Sequence, residues 1–188
     1  MIPLRDVIPR RTRPGVTLGL VVAHACLFAD ADLRSWWLLW TVGAWTLWIA
    51  GSTLEDRLGH ARFAVCAGLT VAAGTLVAQA LTPVAWAFVG PGCLTAGVVA
   101  AHLVIFPRSR VLTVMPVPVG FEFVDIPAVF VALLWLLVQG CAIVAVPWPV
   151  SGSALATGWA IAAGAGAVAG RALLLPERMT VAWWDGGR

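Results

Sequence analysis

Six apolar runs, interrupted by prolines, glycines and arginine-bearing flanks, constrain this chain more than any other feature. They fall at about 15–29, 33–54, 61–81, 89–107, 127–146 and 154–175. Crossing a hydrocarbon core roughly 30 Å thick takes about 20 helical residues. A segment in lipid has to satisfy its own backbone groups, which restricts spanning structures to helices and closed barrels. The runs are continuous rather than alternating, so the expected class is an all-α membrane protein of six transmembrane helices. Surface chemistry agrees, because only 11% of the 188 residues are charged while 61% are hydrophobic. A soluble domain carries about 25% charged residues.

The flanks give a direction. All twelve basic residues are arginine. Eleven of them (Arg5, Arg10, Arg11, Arg13, Arg57, Arg62, Arg108, Arg110, Arg171, Arg178 and Arg188) lie on the side of the N-terminus when six helices are threaded alternately. Arg34 is left on the other side. Positive flanks stay cytoplasmic, so both termini are expected inside, and the all-arginine usage points to a bacterial cytoplasmic membrane. The expected division is a basic, proline-broken flank at 1–14, a membrane domain at 15–175 and a short cytoplasmic tail at 176–188. The flank has no cleavage signature and is expected to stay on the chain. The segment 107–126, polar and proline-containing, reads as a connection between helices four and five.

Several phrases along this frame belong together. The fourth run reads Val89-Gly-Pro-Gly-Cys-Leu-Thr and ends at Phe106-Pro107. The second run closes in Gly51-Ser-Thr-Leu-Glu-Asp-Arg-Leu-Gly-His60. The fifth carries Trp135 and Gln139, and the sixth repeats small residues at Gly158, Ala162, Gly166 and Gly170. In this order they resemble the rhomboid family of intramembrane serine proteases, from an opening Ile-Pro-Leu-Arg-Asp phrase at residues 2–6 to the sixth helix. The resemblance implies a six-helix rhomboid-like bundle. It also implies a lateral opening between helices two and five that admits helices of substrate proteins.

The same resemblance locates the chemistry, and there this sequence departs from it. The family's serine at the top of helix four falls on Gly92, and its helix-six histidine falls on Ala163. The His-x-x-x-Asn pair of helix two, which polarises the oxyanion, falls on Leu39 and Gly43. A serine nucleophile needs a base within reach and donors for the developing charge, and none of these four side chains supplies either. All five serines (Ser35, Ser52, Ser109, Ser151 and Ser153) lie in flanks or loops. The expectation is a catalytically inactive member, a pseudoprotease, with no cofactor and no metal.

Other chemistry is thin. Cys93 adjoins the lost nucleophile, but no histidine remains on helix six to activate its thiol. Thr95, one turn deeper, is expected to bond back to its own helix. His24 and His102 lie inside apolar runs, where an ionisable residue is a functional candidate and paired imidazoles can hold a haem. Their depths differ by roughly 7 Å at about 1.5 Å per residue, which suits a shared ligand poorly, so neutral histidines bonded to neighbouring helices are expected. The four cysteines, Cys26, Cys66, Cys93 and Cys141, lack metal or redox spacing. No membrane-embedded acid or inverted repeat supports a transporter.

What the sequence keeps is packing. Small residues spaced by four let membrane helices approach closely. The tryptophans Trp36, Trp37, Trp40, Trp45, Trp48 and Trp135 suit contact with lipid or a partner helix. The expected function is binding of other proteins' transmembrane helices, as an accessory subunit of a larger membrane complex. A transient chaperone or regulator of membrane proteins is the second reading, and an enzyme or haem carrier using Cys93 or His24 and His102 the third.

Overall fold

The computed structural model describes residues 2–6, 8, 12–28, 37–82, 86–117, 120–145 and 151–175. It contains six helices, α1 (Gly15–Phe28), α2 (Trp37–Leu58), α3 (His60–Leu81), α4 (Trp86–Ile105), α5 (Ala128–Ala145) and α6 (Gly152–Leu173). By length and composition α3 and α6 can cross a membrane, while α1, α4 and α5 hold shorter apolar stretches at Gly15–Cys26, Val89–Ile105 and Ala128–Cys141. The tail at 176–188 lies outside the described residues.

Three strands complete the chain: β1 (Ile2–Asp6), β2 (Arg110–Val117) and β3 (Gly120–Pro127), in one antiparallel sheet of that order. These replace the loose flank and the irregular connection expected from the sequence. Pro3, Pro116 and Pro127 suggested breaks, since proline cannot donate to a ladder. However, β1 is an edge strand with a register shift between Pro3 and Arg5, and the β2–β3 hairpin pairs without a break from Arg110↔Pro127 to Val117↔Gly120. The β1–β2 pairing puts the N-terminus and the α4–α5 connection at the same end of the molecule.

The core is a trio, α3, α4 and α6, held at backbone contact by residues without bulk. A Cβ on Gly166 would strike the backbone of Gly97, and one on Gly158 would stand 2.9 Å from the Gly74 carbonyl oxygen. At Gly170 the obstacle is Ala101 Cβ, 2.8 Å away. Gly158, Ala162, Gly166 and Gly170 are all buried along one ridge of α6. Between lipid-immersed helices this close approach supplies the van der Waals attraction that hydrophobic burial supplies in water.

The charged phrase at residues 55–60 is part of this architecture rather than a flank. The sequence reading ended helix two near residue 54, whereas α2 continues to Leu58. Glu55 thereby reaches the start of α1. It accepts hydrogen bonds from Val16 N (2.8 Å), Thr17 N (2.7 Å) and Thr17 Oγ1 (2.7 Å). The first N–H groups of a helix have no partner within it, so the carboxylate satisfies them and sits at the positive end of the α1 dipole. Asp56 Oδ1 accepts from Thr12 N (2.7 Å) and Thr12 Oγ1 (2.8 Å). Gly59, at φ 81°, turns the chain tightly into α3, and His60 Nδ1 returns to Glu55 Oε1.

Candidate functional site

Helix α4 begins at Trp86, so Gly90-Pro91-Gly92 lies within its first two turns and not in a turn preceding it. Pro91, the sixth residue of α4, cannot donate the ladder bond that an N–H there would make to the carbonyl of residue 87. Gly92 is held against α6. A Cβ at Gly92 would collide with Nε1 of Trp159, with Cε2 at 2.7 Å and Cζ2 at 3.0 Å. The indole of Trp159 fills the space over this glycine.

Trp159 stands one helical turn before Ala163, on the same face of α6. Both line a cavity of about 350 Å³ between α4, α5 and α6, together with Trp135 and Gln139. The rings of Trp135 and Trp159 are tilted at 47° with centroids 6.4 Å apart. Their indole N–H groups are both buried without a hydrogen-bond partner among the described residues. Helix α5 touches α4 and α6 sparingly, and it turns Phe130, Leu133, Leu134, Leu136 and Leu137 outward.

Of the positions singled out by sequence, Gly92 packs under the Trp159 indole, and Ala163 lines the same cavity as that indole. Gly43, in α2, faces His24 Nε2 at 3.2 Å and Thr95 Oγ1 at 3.6 Å from where its Cβ would be. Leu39 is in α2, with its side chain outside the described residues. Cys93 is fully buried, its sulfur beside Gly74 of α3. Thr95 Oγ1 donates to the Pro91 carbonyl oxygen at 3.0 Å, the backward bond anticipated for it.

Of the six tryptophans read as outward contacts, the structure turns two inward. Trp40 and Trp135 are 7% and 2% exposed, so their surfaces are spent on their own chain. Trp45 is 41% exposed and Trp48 is half-buried. Trp37 opens α2 with its side chain outside the described residues, and Trp36 lies outside them altogether. The residue that sequence reasoning missed is Trp159. Its signal was available: the one aromatic residue in a helix built mostly of alanine and glycine, four residues before Ala163.

The two intramembrane histidines have separate surroundings. His102 Nε2 lies 3.0 Å from Ser109 Oγ and 3.2 Å from Asp6 Oδ2, so this nitrogen of the imidazole faces the strand-bearing end. It ties α4 to β1 and to the approach to β2. His24 lies between α1 and α2 with its ring edge-to-face on Trp40. With Nε2 of His102 so engaged, the pair offers no common centre. Among the described residues no three His, Cys, Asp or Glu side chains gather as metal ligands.

A family model described as Rhomboid domain matches residues 35–172, from the start of α2 through almost all of α6. Comparison with curated proteins and with solved structures gives no match.

Proposed function

Given that the chain belongs to the rhomboid family of multi-pass membrane proteins, we propose that it is a non-proteolytic member that holds transmembrane helices of other proteins. It serves as an accessory subunit of a larger complex in a bacterial cytoplasmic membrane, with six spans and both termini inside. The observation that carries the reading is the Trp159 indole lying over Gly92. A nucleophile there needs open space on the reacting side, and a base about 3 Å away. Here the Trp159 indole takes that space with its Nε1 edge, and Ala163 stands at the position of the base.

Binding without cleavage is supported by what surrounds the indole. Helix α5 stands off the α3–α4–α6 trio, leaving the cavity lined by Trp135, Gln139 and Ala163 beside a row of outward leucines. A helix packing along α5 would meet aliphatic and aromatic surface with few polar demands, the condition for association in lipid.

Restoring the two side chains should not restore hydrolysis. The Gly92→Ser/Ala163→His double variant is expected to remain unlabelled by a fluorophosphonate serine probe and to leave a transmembrane reporter substrate uncut. Labelling or cleavage by that variant would show the machinery to be otherwise intact and would sink the reading of a site closed by Trp159. The partner is tested by mild-detergent recovery of the tagged full chain from its native membrane, with native sizing and mass spectrometry. One complex containing the chain in stoichiometric amount is expected. Many substoichiometric membrane clients would replace the subunit reading with the transient chaperone, and a lone monomer that hydrolyses peptide would overturn both.

A further inference from the structure

A second pocket, of about 550 Å³, opens between α1 and α2, away from the α4–α5–α6 cavity. His24 of α1 forms one side, and Trp40, Trp45 and Trp48 of α2 form the other, with Thr41 and Ala44 between them. Spacings of five and three residues spread the three indoles over one broad side of α2, about 140° wide. His24 is 5% exposed, meets Trp40 at 4.9 Å between ring centroids, and makes no hydrogen bond among the described residues. Gly43 permits its position, since a Cβ there would lie 3.2 Å from Nε2.

Burial of a polar ring without a partner costs free energy, more so in an apolar medium. Among the described residues the pocket lining holds no carboxylate, ammonium or guanidinium, so an ionic occupant would find no partner among them. A neutral imidazole offers one N–H donor and one acceptor nitrogen. The indoles offer flat, polarisable faces that favour stacked or edge-on rings. The volume falls within the range of small-molecule sites, about 300–1,000 Å³.

We propose that this pocket binds a neutral, lipid-soluble quinone, a flat ring bearing carbonyl oxygens on an apolar tail. The N–H of His24 donates to a ring carbonyl, the indoles of Trp45 and Trp48 flank the ring, and the tail leaves along the apolar outer face of α1. Binding alone is inferred, with no electron transfer. It does not depend on whether the chain holds partner helices.

The test uses the purified full chain in detergent, titrated with decylubiquinone and, separately, with 2-methyl-1,4-naphthoquinone, following tryptophan fluorescence and the thermal midpoint. The expected result is saturable quenching at one quinone per chain and a raised midpoint. His24→Leu, which keeps the bulk and removes the donor, is expected to weaken binding about tenfold. Gly43→Ala, which crowds the imidazole from the other helix, is expected to weaken it as well, so the inference does not hang on one variant's folding. Quenching that rises linearly without saturation, or is the same in both variants, would overturn it. So would equal competition by dodecane, which would make the occupant an acyl chain.

Discussion

Gly166→Val is expected to leave little folded protein. Its first added carbon would occupy the position of the Gly97 backbone, whose Cα and carbonyl carbon both lie 2.6 Å from it. Overpacking a core costs about 1–3 kcal/mol when side chains can yield, but here the obstacle is main chain in the middle of α4. Relief requires α4 and α6 to separate, which would also undo the contacts at Gly158 and Gly170. A loss above about 3 kcal/mol follows, set against a total stability of about 5–15 kcal/mol for an ordinary domain. The measurement is the yield of monodisperse protein and its thermal midpoint in detergent. Gly164→Val is the control, two residues away on the same helix with open space around its Cβ position. Near-equal behaviour of the two variants would mean that α6 does not pack through this ridge.

Glu55→Ala should be the most damaging change to a polar residue. It removes the acceptor for two backbone N–H groups and one hydroxyl at the start of α1, where Thr17 and Glu55 are both fully buried. Hydrogen bonds to a charged group contribute about 1.5–3 kcal/mol each, and donors left buried add their own desolvation cost. A net loss of about 3 kcal/mol is expected, because shared acceptors are not additive. Glu55→Gln keeps one acceptor oxygen and should fall between. The effect should be local before it is global: hydrogen exchange at residues 16–20 should rise more than in α3 or α6. Uniform exchange across all helices would assign Glu55 to the whole bundle and not to the α1 cap.

The helical frame was legible because membrane helices announce themselves by length and continuity, which leaves little freedom to mistake an apolar run. Helix ends were less so. Glu55, Asp56 and Arg57 look like a solvated flank, yet they are only 0%, 4% and 2% exposed, because the N-terminal arm folds back onto them. That arm is a long-range partner, and no local pattern reveals it. The sheet was hidden for the same reason. Its prolines read as breaks, and pairing between residues 2–6 and 110–117 depends on four intervening helices bringing them to one end. At the candidate site, the small residues at positions 92 and 163 were plain in the sequence. What fills the space between them was not, because Trp159 acquires its meaning only once α6 is laid against α4.

The pairing of Ile2 with Val114 and Asp6 with Val111 bears on how the chain is made. β1 leaves the ribosome before its partner strand, which is synthesised only after α1 to α4, the first four crossings of the six-span threading proposed above. An even number of crossings returns β2 to the compartment where β1 waits. An odd number, from one helix skipped or wrongly oriented, strands the two on opposite faces of the membrane. The sheet therefore cannot close on a mis-threaded chain. It acts as a parity check on insertion, read out by whether Asp6 ever meets His102.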